Sequence, residues 1–164
     1  MITDSLTGLL NHSSILKQFD LQLARAKITH LPLTFIIIDI DHFKKVNDSY
    51  GHQVGDEVIK TISTLFLSRL RNQDSVGRYG GEEFVLILPG APIDEAIKIV
   101  HELRVQFSQY KFKTNDTNFF VTFSAGISCS NGIKNANEIV DEADQALYKA
   151  KLNGRNQIMS FNGN

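Results

Sequence analysis

Hydrophobic residues recur in this chain in an order that few folds accommodate: a strand, a helix, two strands about a glycine pair, a helix and a further strand. Leu33 to Asp39 (LTFIIID), after Pro32, is a short β-branched apolar run whose length and composition suit a buried strand. From Gly55 to Arg71, Val58, Ile59, Ile62, Leu65, Phe66 and Leu70 recur at helical spacing. Ser75–Tyr79 and Phe84–Leu88 flank Gly80-Gly81, which reads as a hairpin whose glycines are free to take positive φ. Pro89 and Gly90 close that strand, and Ala96, Ile97, Val100, Leu103 and Phe107 mark a helix over Asp94–Phe107. Phe119 to Ser128 (FFVTFSAGIS) reads as the next strand. The order is that of the split βαβ, a palm-like α+β plan of ferredoxin type with an antiparallel sheet and flanking helices.

The outer segments extend this plan. Ile15, Leu16, Phe19, Leu23 and Ala26 give a helix over Ser13–Ile28, with Ser13 or Ser14 as its cap. A helix from about Asn137 to Asn153 stops at Gly154, and Gln157–Phe161 forms a short final strand. At 164 residues, with 42% hydrophobic and 21% charged residues, the chain has material for one packed domain over 1–164 and is neither disordered nor collagen-like. Lys and Arg number 17 against 18 Asp and Glu, so no global positive field exists to hold long nucleic acid. The single cysteine, Cys129, cannot form an internal disulfide and is expected to be a buried, inert thiol, which suits a reducing, cytoplasmic compartment. No apolar stretch approaches the ~20 residues of a bilayer span, and no signal pattern opens the chain.

In the ferredoxin-like strand order the first and third strands are antiparallel neighbours, so Asp39, ending the first, should lie beside Glu83, entering the third. Asp41 follows in the loop, and Glu82 leaves the glycine turn. Acids that converge raise each other's pKa unless a cation neutralises them, and an oxygen-only ligand set suits Mg²⁺ or Mn²⁺. Such ions keep open positions for phosphate oxygens, which makes phosphoryl transfer the leading reaction class. The bland alternative is that each acid is merely solvated.

Phosphate chemistry also needs positive charge. Lys44 lies five residues past Asp39, while Lys151 and Arg155 sit at the end of the last helix, where the helix dipole alone would also favour cations. Asn47 and Asp56 occur in a polar stretch with Gly51 and Gly55. An amide and a carboxylate can read a guanine edge, the acid accepting from its N1 and N2 hydrogens. Equally, Asn47 could form only a turn and Asp56 only a helix cap.

At this point the residues resemble a known family. Arg78-Tyr79-Gly80-Gly81-Glu82-Glu83-Phe84 is similar to the signature of the GGDEF diguanylate cyclases, which condense two GTP into cyclic di-GMP. Asp4-Ser5-Leu6-Thr7-Gly8-Leu9-Leu10-Asn11, Asp39-Ile40-Asp41-His42-Phe43-Lys44 through Asn47-Asp48, and Ala146-Leu147-Tyr148 through Lys151 to Gly154-Arg155-Asn156 agree with it. Four blocks in order span nearly the whole chain.

The resemblance implies that Asp39, the Ile40 carbonyl and Glu83 hold metal, and that Glu82 holds a second ion or helps to activate the 3′-hydroxyl. It implies phosphate contacts at Lys44, Lys151 and Arg155, with His42 and Phe43 beside the substrate, and guanine reading by Asn47 and Asp56. Glu82 replaces the Asp of the family name and leaves a carboxylate in position. Arg71-Asn72-Gln73-Asp74 stands where the family carries an Arg-x-x-Asp inhibitory site for its product. Arg71 would grip phosphate and guanine and Asp74 the base, with Arg78 assisting from the same or a neighbouring subunit. The other reading of Arg71 and Asp74 is a surface ion pair worth less than ~1 kcal/mol. His12 departs from the family's usual Arg.

The resemblance further implies two Mg²⁺ or Mn²⁺ ions per GTP site and a homodimer, because each site holds half the reaction. It also implies a sensor or dimerisation segment upstream in a longer bacterial signalling protein, with no nucleic acid or membrane contact by this domain. Three competitors are a catalytically silent receptor for GTP or cyclic di-GMP, a passive interaction module, and a template-reading polymerase palm. The first should have lost Asp39, Glu83 or the glycines, the second needs no paired acids and distal cations, and the third needs a positive track.

Overall fold

The computed structural model describes residues 1–130 and 132–161. Asn131 and the last three residues of the expected 1–164 domain therefore lie outside the described residues. In chain order the elements are α1 (His12–Thr29), β1 (Leu33–Ile40), α2 (Phe43–Tyr50), α3 (His52–Arg69), β2 (Ser75–Arg78) and β3 (Glu83–Pro89). They continue as α4 (Ile93–Gln109), β4 (Phe112–Lys113), β5 (Asn118–Phe119), β6 (Phe123–Ser130), α5 (Ala136–Leu152) and β7 (Ile158–Ser160).

The main sheet has the order β2-β3-β1-β6-β7, so its first four strands reproduce the expected ferredoxin-like plan. β7 adds parallel to β6, which makes the sheet mixed rather than wholly antiparallel. All eight residues of β1 are buried, because helices cover both faces. Side chains alternate across a strand. Leu33, Phe35 and Ile37 pack with Ile15, Phe19 and Leu23 of α1 and Ile139, Ala143 and Leu147 of α5. Ile36, Ile38 and Ile40 pack with Val58, Ile62 and Phe66 of α3 and Val100, Leu103 and Phe107 of α4.

Several expectations shift in detail. The cap of α1 is Asn11, whose side chain accepts from the Ser14 backbone N–H at 2.9 Å; Ser14 itself is buried and its hydroxyl accepts from the Ile2 N–H at 2.9 Å. The polar stretch after Asp41 contains α2, which period analysis passes over because only Val46 among its eight residues is fully buried. Gly51, at φ 92°, separates it from α3, which begins three residues before the expected Gly55. Phe119 belongs not to the long strand but to a small β4–β5 sheet, where its ring stacks on Tyr50 with centroids 4.1 Å apart. Neither Gly80 nor Gly81 takes the left-handed conformation expected of the hairpin turn. Cys129 is half-buried rather than enclosed.

Among the described residues no helix is long and apolar enough to cross a membrane.

Candidate active site

Asp39 falls on an odd position of β1 and so continues the face covered by α1 and α5. Its antiparallel partner on β3 is Glu83, as the strand order requires. Directly opposed residues on one face sit about 5 Å apart at Cβ, and like charges there are destabilising. The Ile40 N–H donates to the Glu82 carbonyl at 3.1 Å, which ties the glycine turn to the end of β1. The turn is held from its other side as well, because the Tyr79 and Gly80 N–H groups both donate to the Glu83 carbonyl. Gly80 acts here through the missing side chain: a Cβ would come within 2.9 Å of a Glu83 carboxylate oxygen.

The electrostatics follow from this crowding. Burial raises the pKa of Asp39 first, and the Asp41 charge adds to it, while Lys151 and Arg155 oppose the rise. Burial likewise raises Glu82, with Asp39 and Glu83 adding and Lys151 opposing. Glu83 is raised by burial, then by Asp39 and Asp144, against Lys151 and His12. One cation already answers the charge: the Lys151 ammonium, from the last turn of α5, donates to Asp39 Oδ2 at 2.8 Å. Among the described residues no three or more His, Cys, Asp or Glu side chains are gathered into a metal cage. The donor chemistry nevertheless fits a hard cation: carboxylates that repel one another stand at a strand end, with an ammonium occupying a position where a metal could bind. Oxygen donors from water would complete its coordination.

Asp41 has a different task from the one its neighbourhood suggests. It is buried, and it accepts from Thr122 Oγ1 at 2.7 Å, Ser124 Oγ at 2.7 Å and the Asn156 N–H at 3.0 Å. Its oxygens are committed to binding β6 and the turn after α5. In that turn Arg155 and Asn156 adopt left-handed φ values of 63° and 48°, costly for non-glycine residues. The exposed Arg155 is thereby held within electrostatic reach of Asp39.

On the other side of the sheet, α2 and α3 carry the remaining candidates. Phe43 and Asn47 line Gly55, whereas Asp56 projects as an exposed residue inside α3. Because α3 starts at His52 with Gly51 as its cap, Asp56 is not a helix cap, and Asn47 lies within α2 rather than in an isolated turn. Among the described residues the buried Asn47 Oδ1 atom has no hydrogen-bond partner. His42 and Lys44 are exposed; Lys44 meets Asp48 at 3.9 Å.

Arg71 and Asp74 face each other through a bidentate contact, Arg71 Nη2 to Asp74 Oδ1 at 2.7 Å and Nε to Oδ2 at 3.1 Å. Arg71 also donates to the Pro89 carbonyl at 3.0 Å, and the Asp74 side chain is only 1% exposed, so this is a built-in corner rather than a loose surface pair. Arg78 pairs with Asp4 at 3.2 Å and donates to the Gly81 carbonyl at 2.8 Å. It braces the glycine turn against the N-terminal loop. That loop pairs Leu10 with Gly77 of β2, and Asp4 accepts from the Thr7 N–H and hydroxyl at 2.9 and 2.7 Å.

Two further residues stand beside the acids: His12, singled out in the sequence only as a departure from the family's usual Arg, and Asp144, which period and motif reading passed over. His12 stacks on Tyr79 with centroids 4.3 Å apart, and its Nδ1 lies 2.7 Å from the Tyr79 carbonyl. Asp144 shares with Glu83, Asp141, Tyr148 and Lys151 a cleft of about 490 Å³. The helical phase of α5 relative to Lys151 was the one signal that could have placed Asp144 there.

The diguanylate cyclase GGDEF domain model matches residues 1–157. A diguanylate cyclase of Vibrio cholerae is 39% identical over 160 residues, covering 97% of this chain and 49% of that protein. Diguanylate cyclase DgcP of Pseudomonas aeruginosa is 36% identical over 157 residues, covering 96% of this chain and 23% of that protein. The chain thus spans about a quarter to a half of the length of these curated relatives. Among solved structures, the GGDEF domain of DgcB from Caulobacter crescentus, in complex with c-di-GMP, superposes with a TM-score of 0.94 at 32% identity, covering 98% of this chain and 93% of that one. The active GGEEF domain of a diguanylate cyclase from Vibrio cholerae gives 0.88 at 36% identity, covering 94% and 98%; its GGEEF sequence is the one this chain carries at Gly80–Phe84. With the strand order, the register of Asp39 on Glu83 and a match along nearly the whole length in agreement, the chain belongs to the family of diguanylate cyclase GGDEF domains.

Proposed function

We propose that the domain condenses two GTP molecules into cyclic di-GMP and releases two pyrophosphates. The observation that carries this reading is the pairing of Asp39 with Glu83 across β1 and β3, beneath the Lys151 ammonium. Relatives named diguanylate cyclase, and a neighbour solved with c-di-GMP, support it.

In this reading Asn47 and Asp56 take the guanine edge, His42 and Phe43 flank the nucleotide, and Lys44, Lys151 and Arg155 draw the triphosphate onto the strand end. Asp39, the Ile40 carbonyl, Glu82 and Glu83 would hold Mg²⁺ or Mn²⁺, two ions per site. When bound, the metal neutralises phosphate charge and lowers the pKa of the attacking hydroxyl. Lys151 then leaves Asp39 for a phosphate oxygen. The 3′-oxygen of one GTP bonds to the α-phosphorus of the other as the bond to the α–β bridging oxygen breaks, and Glu82 takes the proton in this reading. The second phosphodiester forms the same way with the roles exchanged.

Because one domain presents one GTP, two domains must meet face to face. A sensor or dimerisation segment upstream in a longer cytoplasmic signalling protein would bring them together. Cyclic di-GMP would return to Arg71 and Asp74, with Arg78 assisting, as an inhibitor. Incubating the protein with GTP and Mg²⁺ and resolving the nucleotides chromatographically tests the reading. Cyclic di-GMP should form, and Glu83→Ala should abolish it. GTP bound and returned unchanged at every protein concentration would favour a receptor.

A further inference from the structure

The base-reading side of the site contains a glycine that its backbone does not require. Gly55 lies in the first turn of α3 with no left-handed φ, a place where alanine would strengthen the helix. What it supplies is space. A Cβ built on Gly55 would fall onto Asn47 Oδ1, and would stand 3.1 Å from Asn47 Cγ and 3.2 Å from Phe43 Cζ. The same Oδ1 is the buried side-chain atom without a hydrogen-bond partner among the described residues. A buried orphan acceptor costs stability unless a ligand satisfies it.

We propose that Gly55 is a positioning residue for base selection, its bare Cα leaving the slot in which the Asn47 amide lies ready to accept an N–H of a guanine. The inference rests on the assignment of Asn47 to guanine made above. Guanine offers N1–H and a 2-amino group; Asp56 can accept from N1–H and one amino hydrogen, which leaves the other amino hydrogen for Asn47 Oδ1. The clash created by a side chain at residue 55 would meet the tip of a flexible side chain rather than backbone, so the fold can absorb it by swinging Asn47 out. Gly55 therefore separates folding from base recognition.

The test compares GTP with inosine triphosphate, which lacks the 2-amino group, by equilibrium binding to the wild type, Gly55→Ala, Asn47→Ala and the double variant. Gly55→Ala should fold with an unchanged or higher Tm and bind GTP about 10-fold more weakly, the loss of roughly one hydrogen bond. Its affinity for inosine triphosphate should barely move, so discrimination between the two narrows about 10-fold, to what the Asp56 contact with the remaining amino hydrogen supplies. In the Asn47→Ala background, Gly55→Ala should add no further loss. Undiminished discrimination in Gly55→Ala, with discrimination narrowed in Asn47→Ala, overturns the role of Gly55 alone. Undiminished discrimination in Asn47→Ala overturns the guanine assignment and this inference with it. If Gly55→Ala fails to fold, recovery of folding in the double variant supports the shared slot, and its failure to recover overturns it.

Discussion

At the residue scale the site is a place where stability is given up. Asp39 and Glu83 are opposed across an antiparallel pair, and burial raises both. A carboxyl whose folded pKa lies above its unfolded value holds a proton that the unfolded chain has already released. Stability is then lost as pH rises from the ordinary carboxylate range through the raised value. Glu83→Gln should accordingly raise the metal-free Tm at neutral pH and flatten that decline, while lowering cyclic di-GMP synthesis by about 100-fold or more; thermal melts across pH and a product assay check both. Asp41 is the opposite case, a buried acid whose oxygens meet Thr122, Ser124 and the Asn156 N–H. Asp41→Ala should cost about 2–4 kcal/mol by urea unfolding, because three donors lose their acceptor. Its adjacency to Asp39 was legible in the sequence, but its role was not, since its partners lie 81 to 115 residues away.

At the element scale, reach is set by how closely helices approach the sheet. α5 lies against β6 at Gly126, where a Cβ would strike the Ala143 carbonyl and the backbone of Leu147. Here the obstacle is backbone, which cannot swing away. Gly126→Ala should push α5 outward, cost about 1–3 kcal/mol, and weaken the approach of Lys151 to Asp39. Urea unfolding and GTP titration measure the two effects. The corner made by Arg71 and Asp74 joins the end of α3 to β2 and, through the Pro89 carbonyl, to the end of β3. If it also receives product, Arg71→Ala should leave the initial rate nearly unchanged and abolish the slowing seen when cyclic di-GMP is added. An unaltered inhibition curve would remove this corner from product binding. The four-residue pattern was visible in sequence; the Pro89 contact, which makes the corner rigid, was not.

At the scale of the whole molecule, the proposed reaction requires two domains, because each would present one nucleotide from one sheet end. For a dilute, mostly monomeric protein the rate of cyclic di-GMP formation should rise about fourfold when protein concentration is doubled, approaching proportionality once dimers dominate. A strictly proportional rate under dilute conditions would contradict the two-domain reaction. The strand order was determined by the sequence itself, because β-branched runs and helical periods in that order leave one compact way to pack. The opposition of Asp39 and Glu83 followed from it, since residue parity along a strand is a local property. The short helix α2 was not legible, because its eight residues bury one side chain fully and are stabilised by contacts outside their own periodicity. Nor were the Lys151 ammonium on Asp39, the three donors on Asp41 or the Asn47 amide against Gly55. Each is a meeting of atoms from elements whose separation is set by side-chain packing, and no local propensity or period encodes a distance across a core.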